Sequence, residues 1–312
     1  MITGIIFLLP DRHIKLDGIM KGSITGIGIL NFRLPGYASF EDSSLKLAVH
    51  SRKTRISILF LLFMFLITFL APLLAPYSYT EMDLARILSA PSPEHILGTD
   101  ELGRDMLSRL LYGGRYSLLV ASLALAIALI IGVSLGALAG YAGEFVDRIV
   151  TSIIDLFLSI PVFMVLLVLS VMCSGSLWGV AVVIGALSWM EPARIVRAQV
   201  KMIRQREFVE AARTVGVDGG RLLFRHILPI SIQPLTVTAA AIFAQAMLAE
   251  SALSFLGFGV QPPIPTWGNM LRNAQLFINS TPLLALIPGF LIFLVCLAVN
   301  VIGEEISERL AE

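Results

Sequence analysis

The sequence predicts an all-α, polytopic membrane protein with six transmembrane helices, and three observations carry that prediction. Of 312 residues, 56% are hydrophobic and only 14% charged, against about 25% charged in soluble domains. The mean hydropathy is +0.85. The apolar residues gather into runs close to the roughly 20 residues an α-helix needs to cross a bilayer. A net charge of +1 gives no electrostatic footprint for nucleic acid.

Residues 1–50 form the least patterned part. Ile2–Pro10 is apolar but too short to span, and Asp11, Arg12 and Lys15 follow it where a small-residue cleavage site would be needed for a signal peptide. This region is expected to be a cytoplasmic amino-terminal tail, with disorder or a misplaced start codon as readings of it. The membrane domain is expected over 51–303 and a short cytoplasmic carboxyl-terminal tail over 304–312.

The spans are expected at Ile56–Ala75, Ser117–Ala139, Ile149–Met172, Leu177 to about Met190, Pro234–Phe255 and Leu284–Ile302. A central Leu, Ile, Val or Phe favours insertion by about 0.3–0.6 kcal/mol, whereas a central Arg, Lys or Asp opposes it by about 2.5–3.5 kcal/mol. Between Arg194 and Arg225 there are eight basic and three acidic residues, so the loop 194–230 is excluded from the bilayer.

Lys and Arg distribution sets the orientation. Arg52, Lys53 and Arg55 precede the first span, Arg148 lies before the third, and the loop 194–230 holds the largest basic cluster. On the other side, Gly257–Pro282 holds Arg272 alone. The loop 76–116 carries Arg86, Arg104, Arg109 and Arg115, which weakens the asymmetry without reversing it. The positive-inside rule therefore places both termini and the loop 194–230 in the cytoplasm, and the loop 76–116 outside.

Within the spans, Gly132, Gly136 and Gly140 recur every four residues and share one helix face, where absent side chains let another helix come close. That face is a packing seam, either to a partner or moving helix or within the chain. Asp155 lies about 10 Å along its helix from Arg148, where hydrogen bonding to interfacial water or backbone is expected. Cys173 and Cys296 sit in separate apolar runs without metal-ligand spacing. No metal or cofactor is expected.

The segment Glu207–Pro229 is charged and contains a turn. Phe208, Ala211, Ala212 and Val215 follow the i, i+3, i+4, i+7 pattern of one helix face, with Glu207, Glu210 and Arg213 on other faces. Gly216 suits the helix end. Asp218 can cap a second short helix, whose stripe is Leu222, Leu223 and Ile227, and Pro229 closes it. Periodicity leaves two surfaces open for this knuckle, a protein partner or the lipid headgroups.

Here the residues carry a resemblance. Glu210-Ala211-Ala212, three residues, Gly216, and then the run ending His226-Ile227-Leu228-Pro229 is similar to the EAA motif of ABC importer inner-membrane permeases. His-Ile-Leu-Pro there resembles the dipeptide, oligopeptide and nickel branch. So do the stretches His95–Leu118 and Glu250–Leu271. The long amino-terminal tail, Ile230 where Asn is usual, and the ending through Gly303, Glu304 and Glu305 depart from the family pattern.

The resemblance implies the ABC importer permease fold and a translocation subunit that is not an enzyme, ATP hydrolysis resting with cytoplasmic ATPase subunits. It implies a second permease subunit in a heterodimer and an extracytoplasmic substrate-binding protein, in the cytoplasmic membrane. The ATPase-coupling loop would then use Ala211 and Ala212 for close fit, Gly216 for the turn and Glu210 for polar anchoring, with Glu207, Asp218, His226 and Pro229 completing the knuckle. The chain lacks the GxxxxGK[ST] phosphate loop. Dipeptides or oligopeptides are the expected cargo and nickel or glutathione the alternative. A self-sufficient channel or proton-coupled carrier is the competing class, against which stands the lack of a charged relay through the spans. Gly98–Asp105 could be taken for a cation site, but its acids can equally pair with Arg104 and Arg109. Outside the cell the stretch is expected to meet the binding protein or the partner permease.

Overall fold

A computed structural model describes residues 51–311, so the tail expected over 1–50 lies outside the described residues. The chain enters on α1 (Arg52–Phe69), whose Leu59, Leu62, Phe63 and Phe69 are exposed, as on a lipid-facing helix. The helix breaks at Leu70 and resumes as α2 (Ala71–Leu74), with Pro72 in the first turn, where no N–H is required. Irregular chain then leads to α3 (Met106–Tyr141), a single helix of 36 residues. Asp105 caps α3, its side chain accepting from the Ser108 amide at 2.8 Å.

α4 (Glu144–Leu158) and α5 (Val162–Met172) follow, bent by 87° across Ser159–Pro161. Pro161 cannot give the amide a continuous helix needs, so the expected span Ile149–Met172 is two helices. α6 (Leu177–Leu187) and α7 (Met190–Arg204) form one 28-residue stretch. At 1.5 Å per residue it reaches about 42 Å, which carries Arg194–Arg204 past a hydrocarbon core of about 30 Å while still helical. The boundary expected near Met190 falls at the Ser188–Trp189 break, but the same span continues beyond it along α7.

Next come α8 (Glu207–Thr214), α9 (Gly219–Leu222), a π-helical turn over Leu223–Ile227, and α10 (Leu228–Ser231). α11 (Leu235–Leu256) starts behind Pro234 and stops at Gly257, whose φ is +90°. α12 (Trp267–Ala274) begins with a capping box between Thr266 and Asn269. α13 (Leu283–Ala311) absorbs both the last expected span and the residues after 303.

Met106–Tyr141, Leu177–Arg204, Leu235–Leu256 and Leu283–Arg309 are long and apolar enough to cross a membrane, and α4 with α5 makes a fifth if the bent pair counts as one span. The remaining expected span, Ile56–Ala75, does not reach that standard. Of the 18 residues of α1, Arg52, Lys53 and Arg55 are basic. Among the described residues there is no strand, only an isolated bridge between Thr99 and Asp105.

Three apolar clusters hold these helices. The largest joins α1, α3, α6, α11, α12 and α13 around Leu118, Ile184, Met247 and Trp267. A second joins α3, α7 and the 205–234 loop to the start of α11, through Ala137, Val200, Val209, Leu222 and Leu235. A third, around Ile154, Trp189 and Ala193, seats α4.

Candidate functional site

The 205–234 loop stands on a stem built by α7. Arg204, in its last turn, donates from Nη1 to the Tyr141 carbonyl at 3.0 Å, and its guanidinium lies 5.5 Å from the Tyr141 ring centre. One turn earlier, Lys201 meets Asp147 of α4, as does Arg197, whose Nη2–Oδ2 distance is 2.9 Å. These contacts join α7 to the α3–α4 corner and fix where the loop emerges.

α8 rests on one residue. Val209 is fully buried, and Ala212 is half-buried beside it. The predicted stripe points the other way, for Phe208, Ala211 and Val215 are exposed, Val215 by 86%. Glu207, Glu210 and Arg213 are exposed too. The loop thus presents small and apolar groups bordered by charge. Val209 was not singled out by the sequence, because one anchor makes no periodic stripe.

Gly216 ends α8 at φ +85°, and its amide bonds back to the Arg213 carbonyl at 2.9 Å. L-residues avoid that region because Cβ crowds the backbone, and glycine does not. Asp218 then caps α9, its Oδ2 accepting from the Gly220 and Arg221 amides at 3.0 and 3.3 Å. Leu222 and Ile227 are buried and Leu223 is half-buried, whereas Phe224 is 70% exposed. Pro229 does not close the helix as expected, since helical backbone continues to Ser231. Its ring and missing amide instead fall just after the wide π turn that holds His226, the accommodation such a residue calls for. Arg206, Arg221 and Arg225 are exposed and have no ion-pair partner among the described residues. Between the two feet of the loop lies an open groove of about 290 Å³, lined by Gln199, Met202, Phe208, Ile230 and Gln233.

The glycine face of α3 packs against α7 within the chain. A Cβ at Gly132 would lie 2.8 Å from the Trp189 carbonyl oxygen, at Gly136 2.6 Å from that of Ala193, and at Gly140 2.7 Å from Val200 Cβ. Side chains cannot occupy those positions while the helices stay this close. Asp155 is exposed.

At the other end of α3 the two remaining motif stretches meet. Asp100 takes Arg104 at 2.7 Å and Arg109 at 3.1 Å, all three side chains being about 95% buried. Arg104 also reaches Glu101, which accepts from Asn273 Nδ2 at 2.8 Å. His95 Nδ1 lies 3.0 Å from Asp105. Trp267 gives Nε1 to the Leu110 carbonyl at 3.0 Å and its amide to Ser117 Oγ at 3.1 Å. Asp100 and Glu101 are thus engaged by internal arginines and Asp105 by His95 and Ser108, and among the described residues no group of His, Cys, Asp and Glu is arranged to hold a metal.

Comparison with known proteins identifies the family. Residues 132–312 match the family described as the binding-protein-dependent transport system inner membrane component, and residues 51–91 match the N-terminal TM domain of oligopeptide transport permease C. The chain is 39% identical over 245 residues to the dipeptide transport system permease protein DppC of Alkalihalophilus pseudofirmus, covering 78% of this chain and 81% of that one. It is 31% identical over 276 residues to the oligopeptide transport system permease protein OppC of Mycobacterium bovis, covering 88% and 95%. A solved chain of the MetNI methionine ABC transporter, in inward-facing conformations, aligns at a TM-score of 0.50 with 19% identity, covering 64% of this chain and 97% of that one, a likeness of fold alone. The chain belongs to the binding-protein-dependent transport system inner membrane component family, the permease component of ABC importers.

Proposed function

We propose that this permease is one half of a heterodimeric pore that imports dipeptides or oligopeptides across the cytoplasmic membrane. The names of the relatives and the match over residues 51–91 support the cargo class. In this reading α1 with α2 supplies the sixth span and α4 with α5 one bent span, both termini are cytoplasmic, and a binding protein delivers cargo from outside.

The observation that carries the mechanism is the outward stripe Phe208, Ala211 and Val215 on a helix whose opposite face is buried at Val209. Small and apolar groups on a stiff exposed helix fit a complementary protein groove, and the unpaired Arg206, Arg221 and Arg225 suit an acidic rim. The partner is an ATPase subunit, whose closure displaces the knuckle formed by Glu207, Glu210, Ala211, Ala212, Gly216, Asp218, His226 and Pro229. A partner shifts a two-state pore only by binding its two states differently. The loop is therefore expected to sit differently on the ATPase in each state.

The test is Ala211→Arg and Glu210→Arg, both at exposed positions. Each should leave the permease inserted while ATPase copurification and peptide uptake fall about tenfold or more, as at a central interface contact. Uptake at the normal rate in both variants, or uptake without any ATPase subunit, would sink the proposal. Nickel uptake without peptide uptake in the unsubstituted complex would replace the cargo class and keep the mechanism.

A further inference from the structure

Glu250 lies near the end of α11 and is 0% exposed. Its carboxylate accepts from two hydroxyls, Ser117 of α3 at 3.2 Å and Ser254 of α11 at 2.7 Å. Each hydroxyl, having given its proton to Glu250, keeps lone pairs for another donor. Ser117 Oγ uses one for the Trp267 amide at 3.1 Å. Ser254 Oγ receives the Val260 amide at 3.3 Å and the Thr266 hydroxyl at 3.5 Å. One carboxyl group thereby ties together the hydroxyls that hold both ends of the 257–269 hairpin.

The hairpin touches further neighbours. The Gln261 amide donates to the Gly175 carbonyl at 3.0 Å, so the turn between α5 and α6 is included. Phe258, Pro262 and Pro263 remain exposed on its outside. The start of α11 lies in a different setting, where Leu235 is buried with Val209 and Leu222 of the 205–234 loop. α11 therefore connects the base of that loop to the hairpin.

We propose that Glu250 is a positioning residue of the transport cycle, joining the 257–269 hairpin to α3 and α11 so that movement at the loop end is delivered to the hairpin surface. This rests on the function proposed above, in which a binding protein delivers cargo from outside; the hairpin lies on that side in the same reading. Glu250 touches no cargo in this scheme. Its effect on transport runs through Ser117 and Ser254.

The experiment uses the complete transporter in proteoliposomes, both permeases with the ATPase subunits, and reads ATP hydrolysis with and without peptide-loaded binding protein. In Glu250→Leu, basal hydrolysis should stay within about twofold while the stimulation by binding protein falls about tenfold, the size of a typical coupling between sites. Glu250→Gln, which keeps the shape and an acceptor oxygen, should retain more than half of the stimulation. Wild-type stimulation in E250L, or equal losses in E250Q and E250L, would overturn the proposal. Should E250L not assemble, Ser117→Ala decides, since it cuts only the Trp267 arm. Reduced stimulation there supports the proposal, and wild-type stimulation defeats it. A lack of stimulation in the unsubstituted transporter would instead strike the function proposed above, whatever Glu250 does.

Discussion

Arg197 grips Asp147 at two points, Nη2 to Oδ2 at 2.9 Å and Nε to Oδ1, linking the stem of the 205–234 loop to the first turn of α4. Asp147 is well placed to hold it, because the positive end of a helix favours a carboxylate there. Motion of the loop therefore has a direct ionic route to the bent α4–α5 pair.

The pair is shielded enough to matter, with side chains 27% and 11% exposed. A double-mutant cycle of Asp147→Asn and Arg197→Gln should give a coupling energy of about 1–3 kcal/mol, between the values for exposed and buried pairs. Unfolding in detergent measures it. A coupling near zero would mean that the contact is geometry without energy.

Gly136 gives the sharpest packing test. Its hypothetical Cβ meets the Ala193 carbonyl oxygen at 2.6 Å and Cα at 3.1 Å, both backbone atoms that cannot turn aside. Gly136→Ala should cost about 1–3 kcal/mol through overpacking, and Gly136→Leu should prevent recovery of folded permease. Thermal melting of purified protein reads the first and membrane yield the second.

Gly216 should behave differently from Gly136. Nothing lies within 4 Å of its hypothetical Cβ, so only the φ of +85° penalises a side chain. Gly216→Ala is expected to lower stability by about 1–2 kcal/mol, and Gly216→Asn by less, since Asn tolerates this region. If the ATPase occupies that open space, uptake will fall far more than stability does in both variants. Melting and transport assays run side by side check this.

Asp100 compensates two arginines that are themselves about 95% buried. Asp100→Ala leaves both without their shared carboxylate and should cost about 3–5 kcal/mol, the range for breaking a buried ion pair. A melting temperature unchanged in D100A would show that Glu101 alone suffices.

What the sequence made legible followed local rules. Four of the spanning helices, the charged loop, Gly216 at a turn and Asp218 as a cap were all readable from neighbours a few residues apart. The glycine spacing identified a seam but not its partner, since Ala193 and Val200 lie over 50 residues away and share no pattern with α3. The bend at Pro161 was hidden inside a run whose hydropathy never drops. The continuation of α7 to Arg204 was hidden too, because charge density marks where the membrane ends and not where a helix ends. The hydroxyl network of Glu250 was beyond reach for a related reason, as Ser117 stands 133 residues before it.

The 36 residues of α3 reach about 54 Å, so the helix protrudes on both sides of a core of about 30 Å. One tip begins beside the Asp100 cluster, and the other carries Tyr141 beneath Arg204. Tilting such a beam by about 10° around its centre sweeps the tips in opposite directions through about 5 Å each, while its middle barely shifts. Hydrogen bonds fail over less than that distance. A see-saw of this reach can remake the polar contacts at both water-facing ends while the packed centre keeps its neighbours.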